Sequence, residues 1–248
     1  MNNQQQDNNP KVFYEIFVRS FCDANHDGKG DLNGITSKLD YLHYLGIEGI
    51  LITPFFKSNS YHKYDVIDYK SIDSECGTMQ DIERLLEEAH RRNIKVLFDF
   101  VINHTSSQHY WFQEAKKGKD NPYRNYYSWL TPDQIKAKGI AEREKTADST
   151  ETNPWHWAKK GDEEKYYGMF WSEMPDLNMD NPKVREEIYE IGRFWLEKGV
   201  DGFRMDAAKH IYPDWEADKC HAFWEEFRAR MEAIKPDVYI VGEVWTSA

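Results

Sequence analysis

Residues 78–104 read TMQDIERLLEEAHRRNIKVLFDFVINH. Over Met79–Arg92 the apolar residues recur at helical spacing with charges opposite, and Thr78 stands as an N-cap three residues before Asp81. Ile94–Ile102 follows as a nearly continuous, β-rich apolar run, the pattern of a strand buried on both faces. The same alternation extends both ways. Val12–Val18, Ile47–Phe56, Val200–Met205 and Val238–Trp245 read as further buried strands, and Gly34–Leu45, Val184–Glu197 and His221–Ile234 as amphipathic helices. Pro182 opens the third helix, and Gly46 and Gly199 end theirs. About five strand–helix units in this order imply an α/β fold built on a parallel sheet.

Residues 105–180 break the rhythm with Pro, Gly, Trp and charged residues and no clear period, so they read as an excursion inserted after the third strand. The expected layout is a tail at 1–10, a first catalytic part at 11–104, the insertion at 105–180, and a continuation with strands four and five at 181–248. The tail, MNNQQQDNNP, is too polar to pack and lacks the basic-then-apolar layout of a signal peptide, which favours the cytoplasm.

Composition narrows the partners. The 248 residues carry 43 Asp+Glu against 32 Lys+Arg, a formal charge of -11 that repels polyphosphate, so a nucleic-acid partner is not expected. No apolar run approaches the roughly 20 residues that span a bilayer. Cys22, Cys76 and Cys220, odd in number and widely spaced, read as free structural thiols. Aromatic residues make up 15% of the chain and crowd the segment from Tyr110 to Trp171, where flat rings suit either sugar faces or local packing.

In parallel α/β folds, chemistry gathers where strands run into loops, and here those ends are polar: Tyr64-Asp65, then Asp99 through Asn103-His104, then Arg204-Met-Asp206, then Glu243. Arg204 and Asp206 are two residues apart on one strand and project to the same face, where the guanidinium would keep Asp206 ionised. Glu243, among Ile240, Val241, Val244 and Trp245, is placed by its apolar neighbours to carry a proton. One ionised and one protonated carboxyl on neighbouring strands suit retaining glycoside hydrolysis; a plain structural ion pair is the alternative.

The segments DFVINH (99–104), GFRMDAAKH (202–210) and GEVW (242–245), with MPDLN (174–178) near the end of the insertion, resemble the conserved regions of the α-amylase family of glycoside hydrolases. The resemblance runs from about Phe13 to the C-terminus. It implies a (β/α)8 TIM-type barrel, incomplete here, with a domain B-like insertion. It makes Asp206 the nucleophile, Glu243 the general acid/base and Arg204 the holder of the nucleophile. It further implies that Tyr64 stacks on the sugar at the cleavage point, Asp65 is the carboxylate beside the arginine, and His104 donates to that sugar's hydroxyls. Lys209 and His210 would contact glucose on the leaving-group side.

The first loop, Asp23-Ala-Asn25-His-Asp27-Gly-Lys29-Gly-Asp31, sets oxygen ligands at alternate positions, as a hard cation requires, although Gly34 occupies the place of a closing bidentate Glu. In relatives such a loop binds calcium through the equivalents of Asp23, Asn25, Asp27, the Lys29 carbonyl and Asp31; a solvated Asp/Gly turn is the alternative. Asn103 is a weaker candidate for a second calcium. The family's third carboxylate lies on a seventh strand, beyond the fifth strand where this chain stops, so the expectation is an open barrel that is inactive alone, with exposed edges that invite self-association. Ala207-Ala-Lys-His resembles endo-acting α-1,4 enzymes on starch or maltooligosaccharides, whereas MPDLN resembles the group around neopullulanases and cyclomaltodextrinases; a trehalose synthase-like enzyme and a non-catalytic glucan-binding remnant complete the readings.

Overall fold

The computed structural model describes residues 10–142, 152–213 and 216–244. Ten strands are described: β1 (Phe13–Ile16), β2 (Gly49–Ile52), β3 (Phe56–Ser58), β4 (Val66–Ile72), β5 (Lys95–Phe100), β6 (Trp129–Leu130), β7 (Trp155–Trp157), β8 (Lys165–Tyr167), β9 (Gly202–Met205) and β10 (Tyr239–Gly242). With them are the helices α1 (Val18–Phe21), α2 (Leu32–Ser37), α3 (Leu39–Tyr44), α4 (Met79–Arg91), α5 (Tyr110–Ala115), α6 (Pro132–Lys138), α7 (Pro182–Glu197) and α8 (Ala217–Ile234). The expected tail, at residues 1–9, and Trp245 of the last motif lie outside the described residues.

The expected apolar runs form one parallel sheet in the order β1-β2-β5-β9-β10. This is five units of an incomplete α/β barrel, in which β1 and β10 have one neighbour each among the described residues. The strands read as continuous apolar runs because helices cover their outer faces, and the side chains of β2, β5 and β9 are almost entirely buried. Phe55, Phe56, Phe98 and Trp195 interlock, with Phe98 and Trp195 rings 5.2 Å apart, and the Trp195 indole N–H donates to the Tyr69 carbonyl at 2.8 Å.

The helix expected over Gly34–Leu45 is two short ones. Thr36 Oγ1 bonds back to the Leu32 carbonyl at 2.9 Å and Ser37 Oγ to the Gly34 carbonyl at 2.7 Å, and such bonds compete with the helical ladder. Lys38, at φ -104° and ψ 3°, separates α2 from α3. In contrast α4 starts as expected: Thr78 and Asp81 form a reciprocal capping box. Gly46 and Gly199, at φ 79° and 102°, follow α3 and α7 in the left-handed region that glycine adopts without steric cost.

Two features were not legible as periodicity. An antiparallel hairpin, β3–β4, follows the second barrel strand and carries the Tyr64 turn at its tip. The insertion contains a three-stranded antiparallel sheet, β6-β8-β7, of strands two or three residues long, too short to show alternation. The MPDLN segment seals the insertion to the barrel rim: Leu177 N donates to the Asn103 carbonyl at 2.8 Å and Thr105 N to the Pro175 carbonyl at 3.1 Å. No helix among the described residues is long and apolar enough to cross a membrane. Cys76 and Cys220 are buried thiols and Cys22 is half-buried, all three free.

Candidate active site

At the C-terminal ends of β5, β9 and β10 a single guanidinium gathers three carboxylates. Arg204 Nη1 donates to both oxygens of Asp99 and to Asp206 Oδ1, each at 2.8 Å, and Nη2 pairs with Glu243 Oε1. The register explains the convergence: Asp99 is paired with Arg204 across β5–β9, and Arg204 with Val241 across β9–β10, so Glu243 emerges beside Asp206. Glu243 is held from a second side, because Ala207 N donates to its Oε2 at 3.2 Å. Ala207 does this from a left-handed backbone, φ 48°, directly after Asp206; strain of this kind concentrates at functional sites.

The electrostatics differ from the expectation that Arg204 alone sets the state of Asp206. Burial pushes the Asp206 carboxyl well above its ordinary range, Asp99 and Glu243 add to the push, and Arg204 opposes it. Asp99 is raised for the same first reason, burial, against the pull of Arg204. Arg204 would be lowered by burial, but Asp99 and Asp206 more than offset that and hold it charged. One cation facing three carboxylates in a dry site favours retention of a proton, and that proton belongs to the group rather than to one residue. Glu243 is also not in the apolar setting its sequence neighbours suggest: its side chain is 25% exposed and ion-paired, β10 has one neighbour among the described residues, and Val241 on it and Val244 just beyond it are exposed.

Tyr64 joins the cluster directly, its hydroxyl donating to Asp99 Oδ2 at 3.0 Å, and burial followed by the charges of Asp99 and Asp206 raises its pKa. Asp65 does not. It is buried and accepts from Ser58 Oγ at 2.5 Å and from Ser60 Oγ, so the carboxylate lying against Arg204 from the third strand is Asp99, where the resemblance had put Asp65 beside the arginine. Asp99 is legible as a polar strand end that opens the DFVINH motif, but its pairing with Arg204 depends on strand order.

His104 is buried, its Nε2 has no hydrogen-bond partner among the described residues, and burial drives its pKa down to about 4. A neutral ring with an unsatisfied nitrogen is a donor or acceptor waiting for a polar ligand. Phe170 from the insertion packs edge-on against both His104 and His210, ring centroids 5.4 and 5.7 Å away. Lys209 and His210 follow on the turn after β9, each half-buried.

The first loop closes on itself. Asp23 accepts from His26 N at 2.6 Å and Gly28 N at 2.8 Å, Asn25 Oδ1 from Asp27 N at 2.9 Å, Asp27 Oδ1 from Lys29 N at 2.8 Å, and Asp31 from Ala24 N and Gly34 N. The bond from Gly28 N is the foremost reason that the Asp23 carboxyl lies below its usual range. Among the described residues no three His, Cys, Asp or Glu side chains gather as a metal cage. The donor set is nonetheless oxygen only, which matches hard-cation chemistry.

Comparison with known proteins accords with this architecture. The family described as "Alpha amylase, catalytic domain" matches residues 15–248. Alpha-amylase 3 of Dictyoglomus thermophilum is 51% identical over 234 residues, covering 94% of this chain and 43% of that protein. The oligo-1,6-glucosidase of Bacillus cereus is 47% identical over 201 residues, covering 81% of this chain and 35% of its own length. The crystal structure of alpha-amylase from H. orenii superposes with a TM-score of 0.85 at 48% identity, covering 95% of this chain and 48% of that one. The chain thus spans less than half the length of these relatives. With five parallel strands in barrel order, an antiparallel insertion after the third and this extent of identity, the chain belongs to the alpha-amylase catalytic-domain family.

Proposed function

We propose that this chain supplies the nucleophile and the proton donor of a retaining glycosidase that cleaves α-1,4-glucosidic bonds of starch and maltooligosaccharides. The observation that carries the reading is the shared guanidinium: Asp206 and Glu243, on neighbouring strands, both bond to Arg204. That keeps the two carboxyls close, as the retaining route requires with its separation of about 5 Å. Asp206 attacks the anomeric carbon while Glu243 protonates the leaving oxygen; Glu243 then takes a proton from the water that releases the glycosyl ester. Tyr64 offers its ring face to the sugar being cleaved, His104 a partner to its hydroxyls, and Lys209 and His210 the contacts on the leaving-group side. Asp99 holds Arg204 from below.

The α-1,4 preference rests on Ala207-Ala208-Lys209-His210. Relatives named as oligo-1,6-glucosidase and trehalose synthase, 47% and 42% identical, give weight to a second reading, action on α-1,6 bonds or a trehalose synthase-like activity. The loop at 23–31 would hold a structural Ca2+ through Asp23, Asn25, Asp27, the Lys29 carbonyl and Asp31, fixing a segment rich in negative charge. The open edges of β1 and β10 would take up further barrel strands or a second copy of the chain.

The test is reducing-sugar release from soluble starch by the 248-residue chain, by a form extended through the remaining barrel strands, and by Glu243→Gln in both. Silence of the short form, turnover by the long one, and a loss of about 10³-fold in the variant are expected. Glucan binding by the long form without hydrolysis of starch, isomaltose or maltose would instead establish a binding protein.

A further inference from the structure

Lys63 combines two costly features. Its backbone is left-handed, φ 65°, which is unfavourable for a residue with a Cβ and a long side chain. Its ammonium is also buried, a rare state for lysine unless paired. The side chain is 7% exposed, its Nζ 3.1 Å from Asp73 Oδ2 and 3.3 Å from Glu75 Oε2. Both carboxylates are anchored. Asp73 accepts from Ser58 N at 3.1 Å and from Glu75 N at 3.0 Å, and its own N–H donates to the Phe55 carbonyl at 2.9 Å. Glu75 also pairs with Arg19 at 3.2 Å and with Lys29 of the 23–31 loop. On its other side Lys63 N donates to Ser60 Oγ at 3.1 Å, and the next residue is Tyr64, whose hydroxyl ends on Asp99.

We propose that Lys63 is a positioning residue: latched by Asp73 and Glu75, it holds the left-handed turn that aims Tyr64 at the catalytic cluster, and through Glu75 it ties that turn to the 23–31 loop. The assignment rests on the reading of Tyr64 as a sugar-contacting group. Local strain persists where the surroundings over-determine it, and here the ammonium is the group they grip. Without the latch the turn relaxes toward negative φ and the Tyr64 ring leaves its place against Asp99. Side chains that align a substrate lose their effect when displaced by about 1 Å.

The experiment follows the ring itself. The chain is labelled with 3-fluorotyrosine, and the Tyr64 fluorine line is assigned from its disappearance in Tyr64→Phe. In Lys63→Met, which keeps the length of the stem and removes the charge, the Tyr64 line shifts or splits while the other tyrosine lines hold. Lys63→Arg, which restores the charge, returns it. In parallel, maltotetraose affinity by calorimetry, on this chain and on the extended form, falls about tenfold in Lys63→Met and recovers in Lys63→Arg. A Tyr64 line that stays in place in folded Lys63→Met overturns the proposal. Should that variant fail to fold because Asp73 is left buried and unpaired, Lys63→Met/Asp73→Asn, which buries no lone charge, is read by the same criterion. Absence of glucan binding in both lengths would sink the functional reading, and the fluorine line would still decide the latch.

Discussion

Burial and a neighbouring Asp99 push the Asp206 carboxyl up while Arg204 pulls it down, and the push prevails. A carboxyl whose pKa is raised on folding contributes stability that is complete below its unfolded value, near 3.8, and is lost as pH climbs through the folded one. The nucleophile position therefore weakens the fold at the pH where it would work. Asp206→Asn removes that charge and leaves Arg204 with Asp99 and Glu243. Its melting temperature should exceed the parent's by roughly 3 °C at pH 8, with the gap closing toward pH 4. A scanning-calorimetry series over that range decides it; a variant that melts lower at pH 8 would show that the Arg204 pairing dominates.

At the level of elements, the 23–31 loop binds itself to the barrel by more than its own turn. Asp31 caps α2 by accepting from Gly34 N at 2.6 Å, Gly30 N donates to the Arg19 carbonyl at 2.7 Å, and Lys29 reaches Glu75. A cation held here would stabilise the native state in proportion to the logarithm of its concentration over Kd, about 2.7 kcal/mol at a hundredfold excess. Calcium at millimolar levels should raise the melting temperature relative to chelator by several degrees, and Asp27→Ala should abolish the difference. An unchanged melting temperature would identify the loop as a self-satisfied Asp/Gly turn.

On the scale of the molecule, the opposite end of the sheet from the catalytic cluster is stapled by one carboxylate. Asp201, at the start of β9, accepts from His90 of α4 at 2.7 Å, from Val96 N of β5 at 2.9 Å and from Lys235 after α8 at 3.1 Å. Burial raises its pKa, but these partners more than offset it and bring the value down to about 2. The depression contributes about 2 kcal/mol above pH 3.8, a contribution lost as pH falls through 2. Asp201→Asn should lower urea stability by about that amount at pH 7 and by little near pH 2. An equal loss at both pH values would assign the effect to packing rather than charge. The two ends of the sheet thus divide their work, with the charge that stabilises at one and the charge that strains at the other.

The sequence by itself determined the parallel sheet, since strands buried on both faces must be apolar throughout, and it determined where the polar residues stand along each strand. Arg204 and Asp206 share a face by the two-residue repeat alone, and Thr78–Asp81 is readable as a cap because both partners are three residues apart. Only the tertiary structure decided which polar groups meet across strands. Asp99 reaches Arg204 across 105 residues of chain, and Lys63 reaches Asp73 from within a hairpin whose strands are too short or irregular to announce themselves. The charge state of the cluster was likewise beyond a local reading: Arg204 beside Asp206 argued for a lowered pKa, but burial and the second and third carboxylates, brought in by sheet order, reversed the direction. Local periodicity is written in neighbours along the chain, whereas desolvation and ion pairing depend on neighbours in space.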